Sequence, residues 1–139
     1  SNPFEKAKSH KELNGLEKLK FVLRTSFDET EHHQLSMASM QLLESPAFLK
    51  KLIESNQELA PMYQELIEEG IQDGSIQSEQ PKLLADLFVL LTNFWSIPTI
   101  YPMSDEEAWQ KFLMIKSVLD HLGLPVIDDE IVKLCKENA

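Results

Sequence analysis

Cysteine is almost missing from this chain: Cys135 is the only one in 139 residues. One thiol excludes an internal disulfide and fits a reducing cytoplasm, the expected location. Glycine is nearly as scarce. All four, Gly15, Gly70, Gly74 and Gly123, fall where helices are expected to begin or end, so no glycine-rich loop is available to cradle a phosphate. Basic residues are in the minority, with 13 Lys and Arg against 23 Asp and Glu, a formal charge of −10. Such a surface repels phosphate, and the chain alone is not expected to bind nucleic acid. Sustained two-residue alternation is absent, which leaves no strand to predict. Long apolar runs are limited to one, Leu83 to Tyr101. Asp86, Asn93, Ser96 and Pro98 interrupt it and no basic cluster flanks it, so a buried helix is expected rather than a membrane span. The opening SNPFEKAKSHK is charged and lacks an apolar stretch, so no signal peptide is expected. Ser1-Asn2 reads as a pair left by protease trimming.

Chemistry-bearing clusters are also thin. His32 and His33 are adjacent, which on a helix turns them about 100° apart, not onto one ion. His10 and His121 stand alone. No metal site and no cofactor are expected. Ser, His and Asp occur without the strand–turn–helix setting of a nucleophile elbow. Glu68-Glu69 and Asp128-Asp129-Glu130 read as solvated faces and caps. An enzyme is not expected.

What is present suffices for one core, with 42% hydrophobic residues. Residues 1–13 are polar with isolated apolar positions and read either as a short helix or as a linker remnant. Asn14-Gly15-Leu16-Glu17 is a capping box, and Leu16, Leu19, Leu23 and Phe27 follow at helical spacing. Asp28 to Glu31 cap a second helix running to about Glu44, where Met37 and Met40 share a face. Ser45-Pro46 opens a long third helix, with Pro61 inside a stripe that continues on both sides. The spacing predicts one bent helix ending around Gly70 to Ile76. The apolar run follows from Pro81 and ends by Pro98 or Pro102. Its polar positions Lys82, Asp86 and Asn93 form one narrow stripe, so the helix is expected to be buried almost all round. Ser104 to Glu107 is a second capping box. It opens a helix with Ala108, Phe112, Ile115, Leu119 and Leu122 on one line, closed by Gly123. Ile127 and Val132 are placed as a hydrophobic staple for a short last helix. The fold class is all-α, a bundle of about six or seven helices.

The segment LIEEGIQDGSIQSEQPKLLADLFVLL, Leu66 to Leu91, resembles the C-terminal regulatory domain of tetracycline-repressor (TetR) family transcription regulators. Gly70, Gly74, Ile76, Ala85 and Leu87 fall where the pattern of that family has them, and the close GLPVIDDEIVKL is similar to its short terminal helix. The resemblance implies an antiparallel helical bundle over residues 14–139 that binds a small effector and forms a homodimer. Residues 1–13 would be the linker or the remnant of a connecting helix. The three-helix DNA-binding domain of the family has no counterpart in this sequence, so DNA would be reached only through that missing part.

The resemblance also implies that the two last long helices, Pro81–Pro98 and Ser104–Gly123, pair with their copies in a four-helix dimer interface. Leu84, Phe88, Leu91, Trp109, Phe112, Leu113, Lys116 and Leu119 are its candidate residues. Candidate ligand-binding residues are Phe21, Met37, Met40, Met62, Tyr63, Asn93, Phe94, Trp95 and Met114. Each also reads as an ordinary core residue. Asn93 stands out, because a polar amide in the most apolar helix needs a partner. An apolar or amphipathic ligand is expected. The alternative function is a helical protein-interaction module that uses the same stripes without a pocket.

Overall fold

A computed structural model describes residues 2–28 and 45–137. Among them all regular structure is helical. The order is α1 (Pro3–Ser9), α2 (Gly15–Asp28), α3 (Pro46–Asp73), α4 (Pro81–Leu90, continued by a π-helical turn, Leu91–Trp95), α5 (Asp105–His121) and α6 (Asp129–Glu137). The helix expected up to Glu44 lies outside the described residues, and so do Met37 and Met40. No described helix is long and apolar enough to cross a membrane.

The helix ends follow the capping chemistry in the sequence. Asn2 caps α1 by accepting from the Phe4 amide at 2.8 Å, with Pro3 in the first turn. Phe4 and Ala7 are buried, so this stretch is a helix that joins the core. At α2 the capping box closes in both directions. The Glu17 amide donates to Asn14 Oδ1 at 2.8 Å, and the Asn14 amide donates to Glu17 Oε1 at 3.0 Å. Ser104 Oγ accepts from the Glu107 amide, and Asp128 Oδ1 accepts from the Ile131 amide. Each such cap satisfies an amide that the first helical turn leaves open.

Helix α3 is continuous through Pro61. Pro61 and Gln57 lie on its exposed side, where water can take the carbonyl that proline leaves unpaired. The helix passes Gly70 and ends at Gly74, whose φ of 87° supplies the left-handed cap. Gly70 serves instead as the crossing point with α2. A Cβ on Gly15 would lie 2.2 Å from the Gly70 nitrogen, so the two backbones touch. The α3 end also caps α2: Gly15 N donates to Asp73 Oδ2 at 2.7 Å and Leu16 N to Ser75 Oγ at 3.2 Å. Beside the crossing, the buried Lys18 pairs with Glu69.

Helix α3 packs along α4 on one side and α2 on the other, and α1 and α6 both lie against α2. Leu19, Val22, Leu66, Ile67, Phe88, Leu119 and Ile131 form the centre of the core. Each such side chain contributes about 1.5–3 kcal/mol by leaving water. Helix α4 is not buried all round. Leu84, Ala85, Phe88 and Val89 face inward, whereas Leu83 is 59% exposed and Leu90 51%. The helix also ends at Trp95, before either proline.

Candidate functional site

The last turn of α4 is where regular packing stops. Leu91–Trp95 is π-helical, and Asn93 departs from helical geometry with φ −118° and ψ 17°. A π-turn widens the helix by one residue and leaves its carbonyls poorly paired, which is why such turns recur at functional sites. Here neighbouring side chains take the loose carbonyls. Asn56 Nδ2 of α3 donates to the Asn93 carbonyl at 3.0 Å. Lys111 Nζ of α5 donates to the Trp95 carbonyl at 2.8 Å. Thr92 Oγ1 and Ser96 Oγ donate to the carbonyls four residues before them, at 2.8 and 2.6 Å.

This turn forms one wall of a cavity of about 570 Å³, within the range of small-molecule sites. Pro3 and Phe4 of α1 contribute to the lining, as do Val22, Leu23, Thr25 and Ser26 of α2. Helix α3 supplies Leu59 and Tyr63, and the π-turn and its exit supply Thr92, Asn93 and Ser96. Met103, then Ala108, Lys111, Phe112 and Ile115 of α5, and Ile127 before α6 complete it. The walls are mostly apolar, with a few polar groups that can orient a bound molecule.

Tyr63 is fixed by aromatic packing. Its ring lies edge-on to Phe4 at 4.9 Å and to Phe88 at 4.8 Å between centroids. Burial pushes the phenol up to about 12, so it stays a neutral O–H donor. Among the described residues neither this hydroxyl nor the Asn93 amide side chain has a hydrogen-bond partner, and neither is a fully enclosed orphan. Lys111 is held over the Trp95 ring at 4.2 Å from its centroid and near the Tyr101 ring at 5.0 Å.

Of the expected ligand-binding residues, the structure therefore brings Tyr63 and Asn93 together in the cavity lining. Met37 and Met40 lie outside the described residues, and the described others lie elsewhere. Phe21 packs against His10, with ring centroids 5.3 Å apart, and Met62 lies partly buried against the core. Phe94 and Trp95 point to the outer side of the π-turn, where they line a smaller groove of about 280 Å³ with Leu90, Tyr101, Met114 and Val118. Met114 is 59% exposed on that outer face, so it is not a wall of the central cavity.

The expected dimer residues also divide. Leu84, Phe88 and Leu119 are used in the chain's own core. Leu84 and Phe88 point inward on the face of α4 that packs along α3, and Leu119 of α5 is fully buried, so the three offer no outer surface. Phe112 lines the cavity and stacks on Trp109 at 5.5 Å, and Leu91 packs against the core. Lys116 pairs with Asp120 at 2.8 Å. Only Leu113 of the set is exposed. Among the described residues the other open large apolar side chains are Ile53, Leu83, Leu90, Tyr101, Met114, Val118 and Leu122. Met114, Val118 and Leu122 are four apart, one stripe along α5.

Lys111, Thr92, Ser96 and the α2 pair Thr25 and Ser26 are cavity residues that the sequence reading passed over. Lys111 had a readable signal: it lies three residues after Ala108 and four before Ile115, on the apolar line itself. Among the described residues no group of acidic, His or Cys side chains has metal-binding geometry. Cys135 is half-buried, and its thiol is pushed up to about 11 by that burial, which disfavours a reactive thiolate. No family model, no curated protein and no solved structure matches the chain.

Proposed function

We propose that this chain is the effector-binding and dimerisation domain of a TetR-like transcription regulator. The observation that carries the reading is the cavity of about 570 Å³, closed by every described helix except α6 and lined by Tyr63 and Asn93. Its ligand is a small apolar or amphipathic molecule. Because the ligand touches α1, α2, α3, the π-turn and α5 together, its binding shifts how those helices sit. That shift passes to a DNA-binding domain outside this chain, as differential affinity for two arrangements requires.

The second copy docks on the outer face of α4 and α5. Leu90, Tyr101, Met114 and Val118 are open and share one apolar groove there, and a two-fold dimer needs such a self-complementary patch. The same groove also supports the other reading, a module that binds a different protein.

A thermal-shift screen of amphipathic small molecules tests the ligand. A true hit raises the melting temperature of the wild type by several degrees when its concentration is about 100 times Kd, where linkage adds about 2.7 kcal/mol. Asn93→Leu is expected to weaken that shift, and Ala108→Phe, which fills the cavity, to abolish it. A hit whose shift is the same in Ala108→Phe binds elsewhere and removes the proposal. Sedimentation over a range of concentrations tests the dimer, and a chain that stays monomeric throughout leaves the heterologous module as the reading.

A further inference from the structure

Among the described residues the proposed cavity carries charge of one sign only. Four serine and threonine hydroxyls line it, and all four donate to their own helix, which leaves their oxygens as acceptors. Thr25 and Ser26 donate to the carbonyls of Phe21 and Val22, as Thr92 and Ser96 donate to those of Phe88 and Thr92. The donors left to meet a ligand are the Tyr63 O–H, the Asn93 amide and the Lys111 ammonium. The first two have no partner among the described residues. An ammonium has three donors, and Lys111 uses one, on the Trp95 carbonyl. Among the described residues Lys111 is the only charged side chain in the lining, and none of them brings a carboxylate to it. None lies within ion-pair distance of Lys111 among the described residues either. Lys111 is half-buried, and a ligand anion would complete the hydrogen bonding of its ammonium. The chain as a whole carries −10, and within the described cavity lining Lys111 is the point where electrostatics favour an anion.

Resting on the cavity being a ligand site, we propose that its ligand is a monoanionic amphiphile: an organic carboxylate with an apolar body. The carboxylate lies at Lys111, beside the π-turn that carries Asn93. The body lies against Phe4, Leu23, Leu59, Phe112 and Ile115. The site disfavours cationic amphiphiles, whose charge would meet the Lys111 ammonium.

The test uses three probes of one chain length, decanoate, decanol and decyltrimethylammonium, below micelle-forming concentrations. Binding to the full chain is read by tryptophan fluorescence, since Trp95 carries Lys111 on its ring. Decanoate is expected to bind on the order of tenfold or more tighter than decanol, the range for a hydrogen bond to a charged group. The cationic probe is expected to bind weakest. Lys111→Met removes the preference for the acid and leaves decanol binding in place, and Lys111→Arg keeps the preference. Circular dichroism checks that each variant is folded, with Lys111→Gln standing in for a methionine variant that is not. Equal affinity of acid and alcohol in the wild type overturns the anion proposal, and so does a preference that survives Lys111→Met. If that equal binding is lost in Ala108→Phe, the cavity remains a ligand site and only its ligand class is wrong. If no probe binds, or Ala108→Phe leaves binding intact, the cavity reading falls and the anion proposal falls with it.

Discussion

Replacing Gly15 by alanine adds one methyl group where the structure has no room for it. The new Cβ would stand 2.2 Å from the Gly70 nitrogen, 2.4 Å from its Cα and 2.8 Å from the Leu66 carbonyl oxygen. Ordinary contact begins near 3.4 Å, and all three atoms are backbone of α3, so none can swing aside. The helices must part by roughly an ångström. Leu19, Val22 and Leu23 of α2 are at most 8% exposed, and each is worth about 1.5–3 kcal/mol buried. A gap of 0.5–1 Å forfeits about a quarter to a half of contact energy. The three together then lose roughly 1–4 kcal/mol. Reduced unfolded-state entropy returns at most about 1 kcal/mol, leaving a net loss of about 2 kcal/mol. Urea denaturation followed by circular dichroism measures it. Gly74→Ala is the control: its φ of 87° costs about 1–2 kcal/mol of backbone strain, but nothing lies within 4 Å of the added methyl. The two variants differ in kind as well as size. Parting α2 from α3 moves Val22 and Leu23 away from Leu59 and Tyr63 across the cavity, so Gly15→Ala also alters probe binding and Gly74→Ala does not. A Gly15→Ala protein within about 0.5 kcal/mol of wild type, below the loss expected for overpacking, would refute the claim that these backbones touch.

Three further outcomes follow from the same structure. Tyr63 holds its proton up to about 12 in the folded state, whereas an unfolded tyrosine releases it near 10. The unfolded state therefore binds fewer protons between those values and stability falls as pH rises through that window. Tyr63→Phe should flatten the fall, and an unchanged alkaline melting curve would contradict the burial. Asn56→Ala leaves the Asn93 carbonyl without its 3.0 Å donor, a loss of about 1 kcal/mol. Hydrogen exchange should quicken at residues 91–96 more than in α2, and uniform quickening would show that Asn56 does not act on the π-turn. Val118→Glu places a charge in the outer groove, and sedimentation should show a dimer weakened by on the order of tenfold or more. No change would place the dimer contact elsewhere.

The helical fold was legible because most of its signals are local. Asn14 with Glu17, Ser104 with Glu107 and Asp128 before Ile131 each act within three residues. Chain-local chemistry of this kind is decided by neighbours in sequence and survives any tertiary arrangement. The orientation of the apolar run was not legible in the same way. Leu84 and Phe88 are as apolar as Leu83 and Leu90, and only the position of α3 decides which pair is covered. Hydrophobicity names residues that want burial; it does not say what is available to bury them. The role of Gly70 was hidden for a related reason. It reads as a helix end, because glycine at a helix end is common. A Cβ on Gly70 would lie 2.4 Å from Ile76 Cδ1, and its backbone is the surface that Gly15, 55 positions away in the chain, touches.

The cavity shows where residue type stops being informative and placement takes over. Asn93 stood out because an amide in an apolar helix is conspicuous. Lys111 did not, because lysine is ordinary in an exposed helix and its long stem lets it sit on an apolar line. Both depend on one feature that no local pattern announced, the π-turn. It rotates Asn93 out of helical register and frees the Trp95 carbonyl that anchors the ammonium. In a regular helix the residues flanking Asn93 would keep their 3.6-residue spacing, and the polar stripe from Lys82 through Asp86 would continue along it. With the extra residue in the turn, the stripe divides. Lys82 and Asp86 pair with each other on the outside at 3.0 Å, while Asn93 lines the cavity. One widened turn thus separates a solvated face from a cavity-lining face on the same helix.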